Sequence, residues 1–223
     1  MYEKLEQFAQ LIKVVRQDHK VKNALLGKGH DFVHAYLVAH YCLEIAEDPL
    51  ATLAFVAAIC HNTDRHYGDD MVEQMMERYL AYTNFSAEEK LLVTEAVLNH
   101  SHRPSASDNP VTVVLMDGDK LTILSLSAII GAGQFRPHMP VVDFRYPNFS
   151  ERPPGINYQN PGSIIRDLIG WLEWEEEGWL RTQRAKELAK PKFKKIRRFV
   201  DDLLAEISEN DLWNYQFKED FGS

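Results

Sequence analysis

The stretch "LATLAFVAAICHNTDRHYG", Leu50–Gly68, decides how the rest of the chain is read. From Leu50 to Cys60 almost every residue is apolar, so a helix here has no polar face. Such a helix belongs in the middle of a bundle. It then ends abruptly in His61, Asn62, Thr63, Asp64, Arg65 and His66. A core helix that delivers so many polar and ionisable groups to one spot points to a site.

Working outward, helical spacing dominates. Leu5, Phe8, Ile12 and Val15 recur at three- and four-residue steps and mark one apolar face near the N-terminus. A second helix is expected from about Phe32 to Glu47, with Asp48 as a cap for the next helix and Pro49 in its first turn. "DDMVEQMMERYLAY" predicts another helix. Ser86 with Glu89 three residues on is a capping-box signature opening "AEEKLLVTEAVLNH". "VTVVLMDGDKLTILSLSAII" reads as one helix diluted by β-branched residues, with no partner strand in sight. The expected fold is therefore an all-α bundle.

From Gly131 to Ser163 the character changes, because six of the chain's ten prolines fall there. Proline this dense forbids a continuous helix. A connection of such length is either a lid or binding loop, or an insertion packed on the surface or at a dimer contact. Helical spacing returns in "SIIRDLIGWLEWEEEGWL" and "RTQRAKELAKPKFKKIRRFVDDLLAEI", a terminal pair carrying Trp171, Trp174 and Trp179. The chain reads as a single domain, with a core over about 25–130, a loop insertion at 131–163 and C-terminal helices over 164–210.

The 223 residues carry a net charge of −8, which argues against a dedicated nucleic-acid binder. The local basic run "KPKFKKIRR", Lys190–Arg198, is either a polyanion-attracting patch or a solvated helix face. Phe193, Ile196 and Phe199 at helical spacing favour the second. No apolar run approaches the roughly 20 residues that span a bilayer, and the N-terminus lacks a secretion signal. Cys42 and Cys60 read as buried free thiols, in keeping with a cytoplasmic location. The aromatic-rich loop and the tryptophans after it make homo-oligomerisation an expectation.

Histidine is the informative residue. His30 and His34 are four apart and share a helix face. His61 ends the buried helix, His100 and His102 end the capped one, and Asp117 and Asp119 sit in "LMDGDKL". Singly, each could be a helix-end or core hydrogen-bonding residue. Together, four helices each place a His or Asp beside an apolar face, where an unpaired charge is costly. A shared divalent metal ion would satisfy them at once.

The order and spacing resemble the HD superfamily of metal-dependent phosphohydrolases, whose pattern is a His, then a His-Asp doublet, then a distant Asp. "GHDFVHAYLVAHYCLEIA" resembles the first ligand helix and makes His34 the first ligand. "LAFVAAICHN" resembles the helix of the doublet, "EAVLNHSHRPSA" the family's "aI..HS" segment, and "VVLMDGDKL" its "DADrLd" segment. The chain is most similar to a bacterial subgroup of small HD proteins. The resemblance covers about Gly29 to Ser127 well, the C-terminal helix loosely and the 131–163 loop not at all. The literal dipeptide His30-Asp31 precedes the first ligand and is not the doublet.

The resemblance implies an ion (Mn, Zn, Fe, Ni or Mg) held by His34, His61, Asn62 and Asp119, where it would activate water towards phosphorus. It implies hydrolysis of a nucleotide or another small phosphorylated metabolite. Catalytic candidates are Asn62, Asp64 and His100, and substrate-binding candidates are Arg65, Lys120 and His102. For His100 the motif favours a second-metal or phosphate role over helix-end bonding, whereas His102 fits the helix end better. Asp31 is a candidate hydrogen-bond acceptor for a ligand imidazole.

The pattern is broken in three places. Asn62 stands for the doublet Asp, Leu37 for an arginine common in the subgroup, and Thr122 for the last Asp of "DADrLd". Asn62 keeps a carbonyl oxygen but is a weaker donor and cannot accept a proton. Either it still ligates weakly, or Asp64 substitutes, or the protein is a metal-poor module that binds a nucleotide or a partner protein. A two-iron oxygenase, another use of the fold, needs a fuller ligand set.

Overall fold

The computed structural model describes residues 1–26, 31–135, 138–143, 153–157 and 160–209, with side chains for all of these except 20–26 and 133–135. His30 and part of the proline-rich stretch (136–137, 144–152 and 158–159) lie outside the described residues. The chain is an all-α bundle, with no strand among the described residues. It divides into two compact units, Met1–Ile123 with Gly178–Ala189, and Leu124–Glu177 with Lys190–Ser223. No helix described is long and apolar enough to cross a membrane.

The first unit is built on α4 (Leu50–Cys60), in which every residue from Leu53 to Cys60 is buried. Around it pack α3 (Phe32–Ile45), α7 (Ala87–Asn99) and α8 (Pro110–Ile123). Fully burying a side chain of the size of Phe55, Val56 or Ile59 contributes about 1.5–3 kcal/mol each. The absence of a polar face on α4 is thus the driving force for wrapping three helices around it. Cys42 and Cys60 are buried free thiols, as expected, and burial pushes both well above the ordinary thiol range.

Three details position the site. The capping box forms, with Glu89 N–H donating to Ser86 Oγ and Ser86 N–H to Glu89. Gly118 lets α8 approach α3, because a Cβ there would stand 3.0 Å from Cys42 Sγ and 3.1 Å from the Val38 carbonyl oxygen. The chain also turns at once after α4: His61 and Asn62 lead into a short helix α5 (Thr63–Tyr67), which sequence reading had not separated. At the other end of α4 the N-cap position is Pro49 rather than Asp48, whose carboxylate takes up Lys4 and the Thr52 hydroxyl.

The remaining helices of this unit are α1 (Tyr2–Gln7), α2 (Ala9–Leu26) and α6 (Val72–Leu80), with a 3₁₀ turn over Asp69–Met71. Asp18 of α2 accepts from Arg78 and from the Tyr79 hydroxyl of α6, at 2.9 and 3.0 Å.

The expected single helix over 111–130 proves to be two, α8 in the first unit and another in the second. The chain breaks at Leu124 and Ser125 and resumes as α9 (Leu126–Phe135), which runs past the expected start of the loop at Gly131. Helix α10 (Ile164–Glu173) begins at Ser163, whose hydroxyl accepts from Arg166 N–H. Its end carries the stacked pair Trp171 and Trp174, 6.3 Å between ring centroids. Helix α11 (Gln183–Glu209) contains the basic run. Phe193, Ile196 and Val200 are its buried residues there, whereas Phe199 is 38% exposed, which corrects the expected apolar face by one position. Arg197 pairs with Glu175 at 3.1 Å, so the charges form a solvated face.

Candidate metal centre

The ends of α4 and α7 use the same device. A helix C-terminus leaves carbonyl oxygens without an intrahelical partner, and each helix is followed by a histidine that folds back on one. His61 Nδ1 lies 2.7 Å from the Ala58 carbonyl, and His100 Nδ1 lies 2.7 Å from the Val97 carbonyl. Because a carbonyl only accepts, each Nδ1 carries the proton. The neutral rings therefore present a lone pair at Nε2. A backbone carbonyl in this role is the usual orienting partner of a metal-binding imidazole.

His34 approaches from the first turn of α3, which Asp31 caps by accepting the His34 backbone N–H at 2.9 Å. Asp119 approaches from the middle of α8. His34 Nε2 lies 3.1 Å from Asp119 Oδ1, and the rings of His34 and His61 are 5.1 Å apart between centroids. One donor atom from each of His34, His61 and Asp119 lies within 4.8 Å of the others. His100 stands behind His61 at 5.2 Å, nearly edge-on.

Electrostatics favour the ligand forms. Burial, together with His34 and His100, holds His61 well below the ordinary imidazole range, so it is neutral. Burial alone would raise the Asp119 carboxyl, but the Lys120 ammonium and the hydrogen bond with His34 outweigh it and hold it well below the usual range. His61 Nε2 is buried with no hydrogen-bond partner among the described residues, and so is Asn62 Oδ1. A divalent ion suits this donor set of two imidazole nitrogens and one carboxylate, in which the buried His61 Nε2 has no hydrogen-bond partner among the described residues.

The other expected residues divide. Asn62 is fully buried beside His61, and its Nδ2 donates to the Asp31 carbonyl at 3.4 Å. Asp64 stands outside the three-residue group. Its Oδ1 accepts the Arg65 backbone N–H at 2.7 Å and its Oδ2 lies 3.5 Å from Arg65 Nε. Asp64 and Arg65 nevertheless act on His100, which burial lowers and the Asp64 charge partly restores. Lys120 is buried, 3.5 Å from Asp119 Oδ2 and 5.3 Å above the Trp179 ring. His102 is exposed beyond α7, its backbone N–H donating to the Asn99 carbonyl at 3.1 Å.

Asp117 has a different task from its neighbour. It accepts from Arg181 N–H at 2.9 Å and from the N–H and hydroxyl of Thr182 at 2.8 and 2.7 Å. These bonds pin the segment that places Trp179 over Lys120. Sequence reading had no signal for this, since the partners lie 64 and 65 residues away. It also missed the pairing of His66 with His19, the two buried on α5 and α2 with ring centroids 4.2 Å apart.

Fold and cluster together define an all-helical protein with a candidate divalent-metal centre at the meeting of α3, α4 and α8. No family model and no curated protein matches the chain. Solved structures do. A Lactobacillus plantarum protein determined as a structural-genomics target superposes with a TM-score of 0.71 at 19% identity, over 92% of this chain and 98% of that one. Bacillus subtilis YpgQ in complex with ADP superposes with a TM-score of 0.64 at 18% identity, over 92% and 96%. Likeness at these identities establishes the fold.

Proposed function

We propose that this chain is an HD-type metal-dependent phosphohydrolase acting on a nucleotide or another small phosphoester. The observation that carries the reading is the convergence of His34, His61 and Asp119 with the His61 Nε2 lone pair left unpartnered in a buried site. The ADP bound by the YpgQ neighbour supports the nucleotide class. His34, His61 and Asp119 would hold the ion, and Asn62 would add a carbonyl oxygen from the doublet position. A divalent ion there supplies Lewis-acid polarisation of a phosphoryl oxygen and lowers the pKa of water.

The chain's own residues supply the rest. Lys120, beside Asp119, and Arg65, beside Asp64, would neutralise phosphate oxygens. His100, its Nδ1 proton committed to the Val97 carbonyl, offers Nε2 as a base that can take a proton from an attacking water. The charges of Asp64 and Asp119 stabilise the imidazolium that results. Asn62 cannot share in proton transfer, so that work falls to His100. The test is phosphate release from a panel of nucleoside mono-, di- and triphosphates after loading with manganese. Turnover by wild type, and its loss in His61→Ala and Asp119→Asn, is expected.

A second reading is favoured by one observation, the amide at position 62. With one carboxylate fewer, the site would retain metal and nucleotide without turnover and serve as a binding module. Metal-loaded protein that binds nucleotide and releases no phosphate would establish that reading over the first.

A further inference from the structure

Helix α8 sends three charged side chains in two directions. Asp119 turns towards His34 and the metal group. Asp117 and Lys120, three residues apart and so on one face of the helix, turn instead to the segment that leads into α11. There the Asp117 carboxylate accepts from Arg181 N–H and from Thr182. The Arg181 guanidinium reaches on to Asp108 at 2.7 Å and to the Ser105 carbonyl at 3.0 Å. Backbone and side chain of this segment are thus tied to α8 and to the turn before it. What the tie holds in place is the buried indole of Trp179, with the Lys120 ammonium 5.3 Å from its ring centroid.

That contact has a chemical use. Lysine carries a strongly hydrated charge on a flexible stem, and a buried ammonium stays in one place only if partners hold it there. The Asp119 oxygen, at 3.5 Å, is farther away than the roughly 2.7–2.9 Å of a charge-assisted hydrogen bond, so this carboxylate does not fix the ammonium by itself. The face of an indole attracts a cation through its quadrupole. Unlike a second carboxylate it brings no negative charge, so it steadies the ammonium without neutralising it. Lys120 has further contacts, and the indole acts in addition to them.

We propose that Trp179 is a positioning residue: its indole holds the Lys120 ammonium at the edge of the metal group, where a phosphoryl oxygen would meet it, and so raises the affinity for phosphate-bearing ligands. This role rests on the phosphohydrolase reading above and places a residue from outside the four-helix core in its phosphate site.

Calorimetric titration of manganese-loaded protein with ADP, the ligand of the YpgQ neighbour, reads the effect. Trp179→Leu should weaken ADP binding roughly tenfold, the scale of a desolvated cation–π contact. Trp179→Phe, which keeps an aromatic face, should stay within about threefold of wild type on the same scale. Lys120→Met should weaken ADP at least as much as Trp179→Leu, and adding Trp179→Leu to it should cost less than about twofold more, since the two changes remove one interaction. A second measurement leaves the shape of the side chain nearly intact. Replacing the chain's four tryptophans with mono-, di- and trifluorinated analogues withdraws electrons from the indole face. ADP affinity should fall stepwise with fluorination in wild type and stay constant in Trp179→Phe, which assigns the effect to position 179.

ADP affinity that is equal in Trp179→Leu and wild type, or that ignores fluorination, would overturn the positioning role while leaving the phosphohydrolase reading in place. A fully additive loss in the double variant would overturn it too, because Trp179 would then act by packing and not through Lys120. Wild-type protein that holds manganese but binds no ADP would overturn the nucleotide reading and this role together.

Discussion

Replacing Asp117 by Asn changes one atom in a fully buried carboxylate, and the structure says what that atom does. Oδ1 accepts from Arg181 N–H, and Oδ2 accepts from the N–H and hydroxyl of Thr182. An amide has one oxygen, so it can serve Thr182 only by turning its NH₂ against Arg181 N–H. That forfeits a hydrogen bond to a charged group, about 1.5–3 kcal/mol, and orphans a donor at about 1–3 kcal/mol. Part of this is returned, because burial pushes the Asp117 carboxyl above its ordinary range, and an amide escapes that cost. The net loss is roughly 2–4 kcal/mol by the same scale. For a chain of this length that lowers the melting temperature by roughly 5–15 °C.

Asp119→Asn should differ in what it does to the metal. It removes the carboxylate of the metal group, so manganese content falls towards zero, and because it also takes a negative charge from beside the buried Lys120 ammonium the melting temperature of metal-free protein falls too. The assay is a pair of measurements on each variant, thermal melting in chelator and metal equivalents after loading. Metal loss with an unchanged melting temperature in Asp117→Asn would refute the division of labour between two aspartates two residues apart.

Two further outcomes follow from the packing. His19 is buried and held at about 3 by burial and by His66. The folded state therefore binds fewer protons than the unfolded chain, and this group's contribution is present above its unfolded value of 6.5 and lost as pH falls from there towards 3. His19→Phe keeps a ring and removes the titration. It should reduce the pH slope of stability in that window by up to one proton, about 1.4 kcal/mol per pH unit, read by urea unfolding at pH 7, 6 and 5. An unchanged slope would contradict the burial. Gly118→Ala adds a Cβ against Cys42 and the Val38 carbonyl. Overpacking costs about 1–3 kcal/mol, of which Ala's better helix propensity offsets about 1. Since His34 rides on α3 and Asp119 on α8, manganese affinity should also fall. A higher melting temperature with wild-type affinity would show that the two helices are not in close contact.

What was legible in the sequence follows from the range of the interactions involved. The uniformly apolar α4 could be placed at the centre because its burial is written in its own residues. The Ser86–Glu89 capping box was legible because both halves lie within one turn. His34, His61 and Asp119 were found by family spacing and do converge. The break at Leu124–Ser125 was missed because the residues on either side keep a helical apolar pattern. The proline-rich loop was expected to begin at Gly131, yet that residue lies inside α9 with nothing near the position of a Cβ. Asp119 was set apart from Asp117 by the family pattern alone, and the role of Asp117 had no local signal because its partners sit just before α11. The His19–His66 contact carries no local signal, because neither residue has a periodic or motif partner near it in the chain.

The most direct test of the central claim is anomalous scattering from crystals grown with manganese and phosphate, recorded near the manganese edge. The account predicts one strong peak in bonding distance of His34 Nε2, His61 Nε2 and an Asp119 oxygen. A strong peak centred elsewhere, such as between Asp64 and His100, or no peak in the presence of both ligands, would contradict it.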